Sequence, residues 1–228
     1  LVTPSLQIEG AVMAAANELG LVASMHVGSS SQVPSIAPDS PFMANLAWGA
    51  VRTSGAMLSW IFSGMFMKYP NLKIALSEGE IGWAPYFLER ADYVYEHHNR
   101  WTGSDFGGRL PSEVFRDHFI ACFITDSAGL RMLDLIGPEI VCVETDYPHS
   151  DSTWPESAER LAGQLEHLPR ETIDAITHGN AIRLFGLDPN HPNADAAHPG
   201  GADPPCFRGF MGHSVNGQHH CPGPLFEW

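Results

Sequence analysis

The chain is short of positive charge, of cysteine and of long apolar runs, and each shortage removes a class of function. Only 12 Lys and Arg stand against 26 Asp and Glu, a formal net charge of -14. Binding a polyanion by counterion release needs clustered positive charge, so neither nucleic acid nor an anionic membrane is an expected partner. The longest apolar stretch, around Ala56 to Met67, is interrupted by Ser59, Ser63 and Gly64. It falls short of the roughly 20 residues that cross a bilayer and reads as a buried helix. No basic segment followed by an apolar stretch and a small-residue cleavage site opens the sequence, which makes the cytoplasm the expected location. Four cysteines in 228 residues are too few for a disulfide scaffold. Cys122 and Cys142 lie in the apolar runs FIACFIT and EIVCVET and are expected in the core. Cys206 and Cys221 lack CxxC spacing, and no G-x-G-x-x-G or G-x-x-x-x-G-K-[ST] follows a strand-like run, which argues against nucleotide binding.

What is present, from Ser5 to about Leu187, is an alternation of helical patterns with short runs rich in Val, Ile and Ala, the pattern of βα units around a parallel sheet. The expected class is α/β. A helix over Leu6–Leu19 stops at Gly20, and an apolar run Leu21–Met25 leads into His26. A loop over Ser29–Pro41 precedes helical spacing from Phe42 to Tyr69, ended by Pro70. Strand Lys73–Leu76 runs into Ser77-Glu78-Gly79, and a helix from Gly82 to about His98 follows, with His97 and His98 at its close. After a turn-rich segment Thr102–Gly108 come strand Phe119–Thr125, helix Ser127–Ile136, strand Ile140–Glu144, a polar loop Asp146–Thr153 and two helices ending near Phe185. Beyond Leu187 the composition turns to Pro, Ala, Gly and Asp without periodicity, so residues 188–228 are expected to be a disordered linker and tail.

In a parallel barrel or open sheet the working residues sit where the strands end, because the loops there line the crevice. His26, Glu78 and Asp146 all follow strand-like runs. Taken singly, each has an ordinary explanation: a satisfied loop histidine, a solvated glutamate, an aspartate capping the next helix. Taken together, an imidazole and two hard carboxylates reaching one point from three corners are what a Zn²⁺ or Mn²⁺ site in a barrel requires. His149, in the Asp146 loop, is a substrate-contact candidate, and Trp154 lies beside the same site; Trp83 is expected to serve in packing. Cys206, His213, His219, His220 and Cys221 can ligate metal chemically, yet their spacing fits no zinc pattern.

Three stretches, LKIALSEGEIGWAPYFLERAD (Leu72–Asp92), ETDYPHSDSTWP (Glu144–Pro155) and HGNAIRLFGL (His178–Leu187), carry a family resemblance. In order and wording the sequence resembles the amidohydrolase-related family, the group that holds aminocarboxymuconate-semialdehyde decarboxylase and the resorcylate-type decarboxylases. The resemblance covers about Leu6–Leu187. It implies a TIM-type (β/α)8 barrel of which strands five to eight are present. It also implies one divalent metal, Zn or Mn, held by His26 and Asp146, with Asp146 moving protons. Glu78 stands where many members carry a histidine after the sixth strand. The reaction implied is decarboxylation or hydrolysis of a small carboxylic acid.

The family's first-strand His-x-His or Glu-x-His pair does not precede His26, so the sequence is expected to be part of a longer protein. Half a barrel would expose strand edges and apolar interior, which favours a homo-oligomer. The competing expectation is an inactive remnant serving as a structural or interaction module.

Overall fold

A computed structural model of the chain describes residues 4–27 and 36–188. The expectations for Cys206, His213, His219, His220, Cys221 and a disordered tail lie outside the described residues, as does the first part of the Ser29–Pro41 loop. The described residues through Leu187 belong to one compact unit.

Four strands, β1 (Val22–His26), β2 (Lys73–Ser77), β3 (Phe119–Phe123) and β4 (Val141–Val143), pair in parallel in the order β1-β2-β3-β4. In register, His26 lies beside Ser77, Ala75 beside Ile120 and Cys122 beside Cys142. Each crossover moves one strand in the same direction. Parallel crossovers are right-handed, so a sequential order gathers the helices on one face, as in a barrel wall; a doubly wound sheet reverses its order midway.

The helices differ from the sequence expectation in four places. The single helix expected over Phe42–Tyr69 is broken into α2 (Phe42–Ala47), α3 (Ala50–Phe62) and α4 (Met65–Lys68). Gly64 adopts φ 76 between the last two, a conformation that ends a helix. Next, α5 (Ala84–Thr102) runs past His98 to Gly103 at φ 71, so His97 and His98 lie within the helix and do not close it. No helix was expected where α6 (Pro111–His118) forms; it starts on a proline and a capping glutamate, Leu110 N–H donating to Glu113 Oε2 at 2.7 Å. It passes directly into β3, so no turn residues separate the two patterns. Finally, the helix expected over Ser127–Ile136 is two single turns, α7 (Ser127–Leu130) and α8 (Leu133–Ile136). The chain then forms α9 (Ser157–Leu165), α10 (Arg170–Asp174), a π-helical turn (Ala175–Gly179) and α11 (Asn180–Phe185).

Period-two alternation divides the sheet's side chains between two faces. Ile74, Leu76, Phe119, Phe123 and Val141 pack with Met57, Ile61, Phe66, Phe115 and Ile136 of the helical layer. Phe119 stacks on Phe115 at 5.2 Å and meets the edge of Phe66 at 5.3 Å. Burying one such ring contributes about 1.5–3 kcal/mol. His118 belongs to this layer: it is buried, lies 4.3 Å from Phe66 in a stacked pair and bonds the Leu72 carbonyl through Nδ1 at 2.8 Å. Burial pulls its pKa below the ordinary histidine value.

On the other face Ala75, Ile120, Cys122 and Cys142 form a smaller cluster with Ala181 and Leu184 of α11 against it. Both cysteines are free and buried, as the sequence led one to expect. The expected broad exposure of this face is corrected along its central strands, where these four residues are buried. Buried Asn180 anchors α11 there, its Nδ2 donating to the carbonyls of Pro138 and Val141 at 2.7 and 2.8 Å.

Candidate active site

The parallel strands deliver the chain to one rim, and the backbone is strained there. Non-glycine residues with positive φ are Val27 (φ 44) after β1, Glu78 (φ 53) and Glu80 (φ 52) after β2, and Asp146 (φ 51) after β4. Each such residue costs roughly 1–3 kcal/mol and persists only where its surroundings over-determine it, which happens most at working sites.

Glu78 is the centre of the cluster. Its Oε1 lies 2.9 Å from His26 Nε2, and its carboxyl lies close to that of Asp146. Asp146 Oδ2 in turn lies 2.7 Å from His149 Nδ1. One donor atom each from Glu78, Asp146 and His149 lies within 4.8 Å of the others. The carboxylates sit inward, their side chains 18% and 11% exposed, beneath imidazoles of His26 and His149 that are 68% and 63% exposed. Burial raises the Glu78 pKa, the neighbouring Asp146 carboxyl raises it further, and the charge of His26 opposes both. Among the described residues no Lys or Arg pairs with either carboxylate. Two carboxylates and an imidazole, with no Lys or Arg beside them among the described residues, form a donor set suited to a hard or borderline divalent ion.

Neighbouring groups have other tasks. Asp126, after β3, accepts from the amides of Ile81 at 2.8 Å and Gly82 at 2.5 Å through Oδ2, and from Gly129 at 2.7 Å through Oδ1. It caps α7 and clamps the turn after Glu80. A Cβ on Gly82 would lie 2.9 Å from Asp126 Oδ1, so that turn needs glycine. Burial pushes the Glu80 carboxyl up to about 7 against the backbone hydrogen bonds it accepts. Its Oε2 is buried without a partner among the described residues. Trp83 donates from Nε1 to the Gly79 carbonyl at 2.7 Å and packs edge-on to Phe87, in keeping with a packing role.

The structure thus brings His26, Glu78, Asp146 and His149 together. It places Glu78 and His149 in the three-residue donor cluster, with His26 paired to Glu78. Trp154 sits on the same loop edge-on to Tyr147, ring centres 5.2 Å apart, and both rings are largely exposed. The sequence reading missed Tyr147, Glu80 and Glu144. Tyr147 lies inside the DYPHSDSTWP segment, and period-two alternation puts Glu144 on the same face as Cys142. Glu80 carried no signal, because its burial depends on the turn that Asp126 clamps.

Comparison with known proteins agrees with this architecture. Residues 5–187 match the family model described as amidohydrolase. A curated relative, 2-amino-3-carboxymuconate-6-semialdehyde decarboxylase of Dictyostelium discoideum, is 29% identical over 148 residues, which is 61% of this chain and 38% of the relative. The solved 5-carboxyvanillate decarboxylase of Sphingomonas paucimobilis superposes with a TM-score of 0.63 at 27% identity, over 78% of this chain and 52% of that one. A dihydroxybenzoic acid decarboxylase of Polaromonas sp. JS666, solved with bound manganese and an inhibitor, shares the fold at a TM-score of 0.57 and 24% identity, covering 76% of this chain and 52% of its own. The chain therefore spans about half the length of these structures or less of the curated relative.

Proposed function

The chain belongs to the amidohydrolase family, and from that premise we propose a divalent-metal enzyme acting on a small carboxylated compound at the rim where β1, β2 and β4 end. The observation that carries the proposal is the Glu78, Asp146 and His149 cluster with donor atoms within 4.8 Å. Loss of CO₂ is the favoured reaction, since the relatives named above are decarboxylases; hydrolysis is the second branch. In this reading the four strands are the last four of the barrel.

His26 and Asp146 would hold the metal, Zn or Mn, with His149 beside them as a further donor or substrate contact; a bound ion would supply Lewis acidity toward a substrate carboxylate. Glu78, whose carboxyl burial biases toward its protonated form, and Asp146 beside it would deliver a proton to the carbon from which CO₂ departs, so that the C–C bond is replaced by C–H. In the hydrolytic branch Asp146 instead accepts a proton from the attacking water. Trp154, with Tyr147 against it, offers an aromatic wall for a planar acid. A small carboxylic acid is the proposed partner; no described helix is long and apolar enough to cross a membrane.

The test is the metal content of the purified chain beside His26→Ala and Asp146→Asn. Near-stoichiometric Zn or Mn, lost in both variants, supports the proposal and leads to assays of CO₂ release from aromatic acids. A folded chain that retains no metal at any pH sinks it and favours the inactive module instead.

A further inference from the structure

Glu144 has no part in the donor cluster, yet its carboxylate reaches the strand exit that carries Glu78. Its backbone N–H donates to the Phe123 carbonyl at 2.8 Å, extending the β3–β4 pairing by one residue. Its side chain shares the inner face with Cys122 and Cys142 and passes over β3 to the exit of β2. There Oε2 accepts the Glu78 backbone N–H at 2.6 Å. Cys122 is buried on the same face; burial first, and the Glu144 charge second, hold its thiol protonated. Glu78 is the residue at φ 53, and a charge-assisted bond to its amide is the kind of restraint that keeps a non-glycine residue left-handed.

From this geometry we infer that Glu144 is the positioning residue of the site. It fixes the backbone of Glu78 so that the Glu78 carboxyl faces His26 and Asp146. The role requires an oxygen acceptor at the end of a two-methylene side chain and does not require its negative charge. It rests on Glu78 being a working group of the site proposed above.

Amide NMR of the metal-free full chain tests it apart from that reading. The Glu78 N–H is expected downfield and protected from exchange in the wild type and in Glu144→Gln, which keeps the acceptor oxygen. It is expected to lose both properties in Glu144→Leu, and in Glu144→Asp, which falls a methylene short and serves if the leucine variant does not fold. A Glu78 amide unchanged in the leucine or aspartate variant overturns the inference, as does its loss in the glutamine variant. Mn²⁺ titration followed by EPR is expected to show affinity held in Glu144→Gln and weakened about tenfold in Glu144→Asp. If the wild type binds no Mn²⁺ while the amide responds as described, the metal reading fails and the positioning role of Glu144 stands.

Discussion

The helical layer around Phe119 and the rim around Glu78 obey opposite rules. In the layer, side chains fill the space between β3 and the helices, and its one buried histidine has its carbonyl partner and is favoured in the neutral form. At the rim, non-glycine residues hold left-handed backbone, two carboxyls crowd together, and Glu80 buries an oxygen without a described partner. A rim built for stability would have glycine at the strained positions and a cation beside the carboxylates. The difference teaches that the layer supplies the stability the rim gives up, as expected where strain and like charge are kept for binding.

The largest effect is expected at the rim and is functional: Asp146→Asn should abolish metal retention while leaving the thermal midpoint close to wild type, as elemental analysis and a melting curve would check. A comparable loss of stability would break the contrast. In the layer, Phe119→Ala should destabilise by roughly 3–5 kcal/mol in urea unfolding, because it empties a site closed on both sides by rings. Between the two regions, Asp126→Ala leaves the amides of Ile81, Gly82 and Gly129 without their acceptor and should cost roughly 1–3 kcal/mol. Glu78→Gly sharpens the comparison most: relief of the positive φ should raise stability by about 1 kcal/mol while metal affinity falls.

The smallest effect is a pair of opposite pH slopes. Burial pushes the Glu80 carboxyl up to about 7 in the fold from its ordinary 4.5. The folded state therefore binds more protons than the unfolded one between those values, and this group's contribution is present below 4.5 and lost as pH rises to about 7. His118, lowered from 6.5, acts in reverse, its contribution being lost as pH falls below that value. Glu80→Gln in the metal-free chain should remove the first slope and leave the second. Stability measured across that window would refute the assignment if the Glu80 variant changed nothing.

The residues of the candidate site were legible because each follows a strand, and a strand announces itself by a short apolar run. Helix boundaries were less so. The break at Gly64 and the split at Arg131–Met132 fall inside apolar patterns that keep helical spacing, and α6 was hidden by its direct passage into β3. Which partner each site residue has was not legible at all. His26 meets Glu78, and Asp126, which stands after its strand as Asp146 does, is saturated by amides.

By itself the sequence determined the α/β class, the four strands, the positions of His26, Glu78 and Asp146 at strand ends with His149 in the Asp146 loop, and the burial of Cys122 and Cys142, because apolar periodicity and chain order are local properties. Only the tertiary structure decided that Glu78 and Asp146 come close to one another, that Asp126 is a clamp and that Glu144 crosses β3 to the Glu78 amide. Those contacts join residues far apart in the chain, and their geometry is set by strand register and by the left-handed turns at the rim, which no local pattern encodes.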